Sequence, residues 1–155
     1  MTLATFALGC FWGVEARFRK VAGVTSTRVG YTAGHSDDPD YKAVCTGTTG
    51  HAEAIEITFD PEFISYEALL DVFWSSHNPT TLNRQGPDTG TQYRSAIFYH
   101  NEQQKILALS SMQNLVAAKR YQNPIVTEIS PARFFYSAEE YHQCYLEKNS
   151  GASCH

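Results

Sequence analysis

An apolar run at residues 3–8 reaches Gly9 and passes, with no linker, into a helical pattern over about 11–21 that closes near Gly23. A strand that turns straight into a helix must lay that helix back on its own sheet. The following elements have similar spacing. Residues 25–31 read as a strand, and 52–59 alternate as another. Ser65 is placed to cap a helix to about His77, with Leu69, Leu70, Phe73 and Trp74 as its apolar stripe. Residues 93–100 read as a strand. Asn101 opens a helix to about 121, with Gln104 set for a capping box. A short strand, "IVTEIS", follows Pro124, and Ser137 with Glu140 suggests a last capped helix. The order β-α-β-β-α-β, then α-β-α, predicts an α+β fold. The expected architecture is a single-domain two-layer sandwich with a ferredoxin-like βαββαβ core, extra C-terminal elements and long active-site loops. Residues 1–148 form the expected catalytic domain, and 149–155 an unstructured tail.

Two polar stretches interrupt this pattern, "TAGHSDDPDYKAVCTGTTGH" and "NPTTLNRQGPDTGTQ". Loops of that length inside a compact domain are usually functional. The rest of the composition narrows the function classes. The chain has 155 residues, of which 43% are hydrophobic and 18% charged, with a net charge of −4 and no basic run, so a nucleic-acid surface is not expected. No stretch has the length of a membrane span, and the N-terminus lacks the basic leader of a signal peptide. A cytoplasmic monomer is the expectation, and in the cytoplasm thiols stay reduced. The four cysteines, Cys10, Cys45, Cys144 and Cys154, contain no C-x-x-C pair. The set His142, Cys144, Cys154 and His155 fits no zinc spacing, so no metal site is expected.

Chemistry concentrates where the first strand turns. At a helix N-terminus, unpaired N–H groups favour the thiolate of Cys10, the nucleophilic form. The alternative is a buried structural cysteine. Phe11 and Trp12 point in different directions on a helix, so one or both line a pocket at the thiol, or both are ordinary core. Glu53 begins the face that carries Ile55, Ile57 and Phe59, while Glu56 falls opposite with Ala54 and Thr58. A carboxyl on an apolar face resists ionising and is a general-acid candidate. A strand-end carboxylate in solvent is the competing reading. Tyr41, Asp88 and Tyr93 lie in or beside the long loops and offer hydrogen-bonding groups. His35, His51 and His77 flank those loops, and any of them paired with Cys10 would make a thiol hydrolase or transferase. A non-catalytic module that binds methionine-containing peptides is a third reading.

Four ordered blocks, "GCFWG" at 9–13, "GYTAG" at 30–34, "GHAEA" at 50–54 and "QGPDTGTQYRSAI" at 85–97, resemble those of the A-type peptide-methionine sulfoxide reductases. The resemblance covers nearly the whole chain. It implies that Cys10 is the nucleophile and that Phe11 and Trp12 wall the sulfoxide methyl. Glu53 matches the family acid on the sulfoxide oxygen, Tyr41 and Tyr93 its tyrosine donors, and Asp88 an aspartate of the same pocket. It further implies specificity for the S-epimer, no cofactor, and a Cys10 sulfenic acid that a second thiol converts to a disulfide for thioredoxin to reduce. By position Cys154 matches a recycling cysteine. Cys144 stands where the family has another residue, as a rival resolver, a relay or a bystander, and Cys45 reads as a bystander. Many relatives run on past this point to a glycine-rich tail with a further cysteine, which is absent here.

Overall fold

The computed structural model describes residues 1–149. Eight strands and five helices follow one another: β1 (Thr2–Leu8), α1 (Phe11–Arg19), β2 (Val24–Thr32), α2 (Tyr41–Cys45), β3 (Ala52–Phe59), α3 (Tyr66–Ser75), β4 (Arg84–Gln85), β5 (Asp88–Thr89), β6 (Ser95–Tyr99), α4 (Glu102–Ala117), β7 (Glu128–Pro131), β8 (Phe135–Ser137) and α5 (Tyr145–Lys148). Short 3₁₀ turns lie at Thr91–Tyr93 and Glu140–His142. Six strands form one sheet in the order β7-β6-β1-β3-β2-β8, and β4 with β5 makes a separate two-stranded ribbon. Every pairing in the large sheet is antiparallel except β6 with β7. The fold is mixed α/β.

The central strand β1 is buried from Ala4 to Leu8 because both of its faces are covered. On one face Phe6 meets Phe18 of α1 and Phe73 of α3, with ring centroids 5.7 and 5.2 Å apart. The other face is a smaller cluster of Ala7, Ala52, Ala54, Ala96 and Phe98. Helix α3 is capped as expected, since Ser65 Oγ accepts the Ala68 N–H at 3.0 Å, and its buried stripe is the one read from sequence. Trp74 of α3 donates to Ser111 Oγ of α4 at 3.0 Å and joins the two helices. Asn101 caps α4 through the Gln104 N–H, and the Gln104 carbonyl returns to the His100 N–H. No helix among the described residues is long and apolar enough to cross a membrane.

Three local expectations are corrected. The first long loop contains α2, whose N-cap Asp40 accepts the Ala43 N–H at 2.7 Å. The second contains the β4–β5 ribbon. Ser137 and Glu140 do not cap a long helix. Ser137 ends β8, which pairs with β2, and its hydroxyl accepts from Arg28. The helix that follows is only α5. Edge pairing with β2 took the residues that would have formed its first turn.

Candidate active site

Cys10 is the N-cap residue of α1, in extended backbone with no side-chain capping bond. Gly9 before it has φ of +106°, a region that suits glycine, and a Cβ there would stand 2.9 Å from Gln85 Cγ. The turn therefore brings β4 against the start of α1. Cys10 is disulfide-bonded in this structure, whereas Cys45 and Cys144 carry free thiols. Cys154 lies outside the described residues.

Glu53 is 1% exposed. Its Oε1 accepts the Phe11 N–H at 3.3 Å, and its Oε2 has no hydrogen-bond partner among the described residues. The reading of Glu53 as a solvent-exposed strand end is thereby overturned. Burial pushes its carboxyl up to about 8; the Phe11 N–H opposes the shift and nearby Asp88 adds to it. A carboxylic acid that keeps its proton at neutral pH thus sits one residue from Cys10 on the helix start.

The expected pocket residues converge on that acid. Tyr41 enters from α2 and Tyr93 from the 3₁₀ turn before β6. Both phenols are raised, first by burial and then by charges that include Glu53, Tyr93 to about 12. Asp88 of β5 acts on Glu53 and Tyr93 alike. Cys45, four residues on, adds to the rise at Tyr41. Phe11 is buried and leans on Tyr31 and Tyr41 at 5.8 and 6.5 Å. Trp12 is half-buried. Its indole N–H donates to His142 Nδ1 at 2.9 Å, and its ring lies flat on Tyr145 at 3.7 Å and 8°.

His142 and Tyr145 escaped the sequence reading as parts of this site. They lie some 130 residues from Trp12, and no local pattern marks them. Of the flanking histidines, His77 and His51 have their ring nitrogens taken elsewhere. His77 spends its ring nitrogens on the Phe73 carbonyl and Ser95 Oγ, and burial lowers it to about 4. His51 spends its own on the Gly34 N–H and the Ser36 carbonyl.

A thiol at a helix start, a buried protonated acid beside it and an aromatic wall suit transfer of oxygen from a polarisable sulfur to a thiol. Comparison with known proteins decides which such chemistry this is. The family model described as peptide methionine sulfoxide reductase matches residues 2–155. The chain belongs to the peptide methionine sulfoxide reductase family. The peptide methionine sulfoxide reductase MsrA of Methanothermobacter thermautotrophicus is 61% identical over 152 residues, 98% of this chain and 90% of that one. The reduced form of Mxr1 from Saccharomyces cerevisiae superposes with a TM-score of 0.92 at 40% identity, covering 99% of this chain and 88% of that one. Mxr1 in complex with Trx2 gives 0.65 at 26% identity, with 93% and 84% covered. As a methionine sulfoxide reductase, the protein is an oxidoreductase, and the hydrolase and binding-module readings fall away.

The wall has a measurable consequence. Replacing Trp12 by Ala should weaken discrimination between methyl and bulkier sulfoxides by about 1–3 kcal/mol, the scale of a methylene in an apolar pocket. Relative kcat/KM for the two substrates is the readout, with a melting curve beside it. Unchanged selectivity with a large fall in Tm would make Trp12 a packing residue instead.

Proposed function

We propose the following division of labour for methionine sulfoxide reduction by this chain. The Cys10 thiolate attacks the sulfoxide sulfur of an S-configured substrate. Glu53 gives its proton to the sulfoxide oxygen, and Tyr41 and Tyr93 donate hydrogen bonds to the same atom. Burial keeps the Glu53 proton in place, and Asp88 adds to this by like-charge repulsion. Phe11 and Trp12 hold the methyl group. The attack makes a transient bond between the two sulfurs; that bond and the methionine S–O bond then break as the protonated oxygen passes to the Cys10 sulfur. One thiol and one sulfoxide become one sulfenic acid and one methionine, a two-electron exchange with no cofactor. The observation that carries this reading is the buried, unpartnered Glu53 Oε2 at the helix start that holds Cys10.

The fold supports a finer description. Strands β6-β1-β3-β2 run antiparallel in that order, with α1 and α3 as connections, an order that supports reading the core as a ferredoxin-like split βαβ. Residues 1–148 act as the catalytic domain, and 149–155 as the segment that brings the second thiol. The direct test of activity is a peptide carrying methionine S-sulfoxide, incubated with dithiothreitol and weighed. Loss of one oxygen is expected, with the R-epimer left intact. An unchanged mass for both epimers would refute the reading.

Cys154 is the proposed resolving thiol. It attacks the Cys10 sulfenic sulfur, water leaves, and the disulfide passes its oxidation to the dithiol of thioredoxin. The Mxr1–Trx2 complex supports thioredoxin as that partner. Cys144 fits the role less well. Its thiol is held protonated by burial, with Glu15 adding to the shift against Arg19. Its N–H is tied to Glu15, and its backbone sits in the left-handed region at φ +53°. Replacing Cys154 by Ser should leave one equivalent of methionine per enzyme and remove thioredoxin-driven cycling. Normal cycling, with Cys10–Cys144 found by peptide mass mapping, would assign resolution to Cys144.

A further inference from the structure

The mechanism above needs a phenol and a carboxyl from two different elements to meet one small oxygen atom. Tyr41 stands on α2, a helix of five residues inside a long loop. Glu53 stands on β3, in the middle of the sheet. Side-chain bonds within the loop do not fix the distance between them.

Glu139 bridges the two. Its Oε2 accepts the Tyr41 N–H at 3.0 Å, at the first residue of α2. Its Oε1 accepts the hydroxyl of Tyr31 at 2.9 Å. Tyr31 is fully buried in β2 and lies directly opposite Glu53 in the β2–β3 register. One carboxylate thus fastens the backbone of Tyr41 to the side chain paired with Glu53. Charge-assisted hydrogen bonds of this kind are stronger than neutral ones. Burial works against the charge, but the Tyr41 N–H, its own N–H, the Tyr31 hydroxyl and nearby His142 hold its carboxyl below the usual carboxylate range, and the Tyr141 hydroxyl adds a contact at 3.4 Å. No ion pair to Glu139 occurs among the described residues. Its negative charge faces the tyrosines and His142.

We propose that Glu139 is a positioning residue that sets the separation between the Tyr41 phenol and the Glu53 carboxyl. It does not touch the substrate. It acts through Tyr41, and this rests on the role given to Tyr41 above. Misplacing a catalytic group by about 1 Å costs on the order of a hundred-fold in rate. Glutamine is the informative rescue. Its amide oxygen takes the Tyr41 N–H and its NH₂ donates to the Tyr31 oxygen, so geometry survives without charge.

The experiment is single-turnover reduction of a methionine S-sulfoxide peptide, measured over a range of peptide concentrations. Glu139→Ala should lower the maximal rate by about ten- to a hundred-fold, with half-saturation within about two-fold because Phe11 and Trp12 are untouched. Glu139→Gln should recover most of the loss. In a Tyr41→Phe background the Glu139→Ala loss should disappear, since two changes acting through one hydroxyl are not additive. Tyr31→Phe keeps the buried ring and releases only the anchor. It should slow turnover in the same direction, and serves if Glu139→Ala fails to fold. Multiplicative losses in the double variant, a Glu139→Ala rate within two-fold of the parent, or a glutamine variant as slow as alanine would each overturn the proposal. If Tyr41→Phe alone runs at the parental rate, the role of Tyr41 is wrong and this inference falls with it. If Tyr41→Phe is slow and the losses multiply, only the positioning role is lost.

Discussion

Replacing Cys10 by Ser should abolish sulfoxide reduction and leave the fold intact. Cys10 is an N-cap with no capping bond of its own, and serine is a better N-cap than cysteine, so α1 loses nothing. The chemistry loses its nucleophile, because a hydroxyl at this site has neither the acidity nor the polarisability of a thiol. Activity with dithiothreitol should fall below detection, while far-ultraviolet circular dichroism and Tm, both taken with the parent reduced so that the Cys10 disulfide is open in each protein, stay at the parental values. A Cys10→Ser protein that turns over sulfoxide at a normal rate would end the mechanism.

The second large effect is at Glu53. Replacement by Gln keeps a hydrogen-bond donor and removes a transferable proton. The chemical step should slow by about 10²–10⁴-fold, the usual contribution of a general acid, with weaker effects on binding. In the parent enzyme the acid is in its working form below about 8 and is lost above it. The single-turnover rate should therefore fall on the alkaline side through that value, and the Gln variant should lack this limb. A Gln variant with the parental rate would remove Glu53 from the role. At alkaline pH the Gln substitution should affect stability in the opposite sense to its effect on rate. The folded state holds the Glu53 proton more tightly than the unfolded chain does, so its stabilising effect is complete below the ordinary glutamate value of 4.5 and is lost as pH rises through about 8. Near pH 9 the Gln variant should melt higher than the parent, and near pH 4 the two should melt together. The acid that serves catalysis costs the fold stability at alkaline pH.

Much of this architecture was legible in the chain. The strand, Gly9 and helix order places Cys10 at a helix start, and period-two alternation puts Glu53 on the buried face of β3. Side-chain caps at Ser65 and Asn101 are local chemistry and were read correctly. The failures have a common cause. Ser137 and Glu140 satisfy a local capping pattern, yet pairing with β2, about a hundred residues earlier, makes Ser137 part of a strand. Helix α2 was hidden by its polar surroundings, although Pro39 and Asp40 carried a start signal. His142, Tyr145 and Glu139 serve the site only through contacts with residues far away in sequence, and a single sequence does not encode such pairings in any local pattern.

Those distant contacts also set an order of events during synthesis. Chains fold as they are made, from the N-terminus. Cys10, Phe11 and Trp12 are translated well before Glu139, His142 and Tyr145, which hold the Tyr41 backbone and the Trp12 indole. A nascent chain therefore carries its thiol long before it has the indole support and the carboxylate bridge. Competence to reduce sulfoxide arrives only once residues 139–145 have been made, so a shorter nascent chain is expected to be inert until β8 closes on the sheet edge.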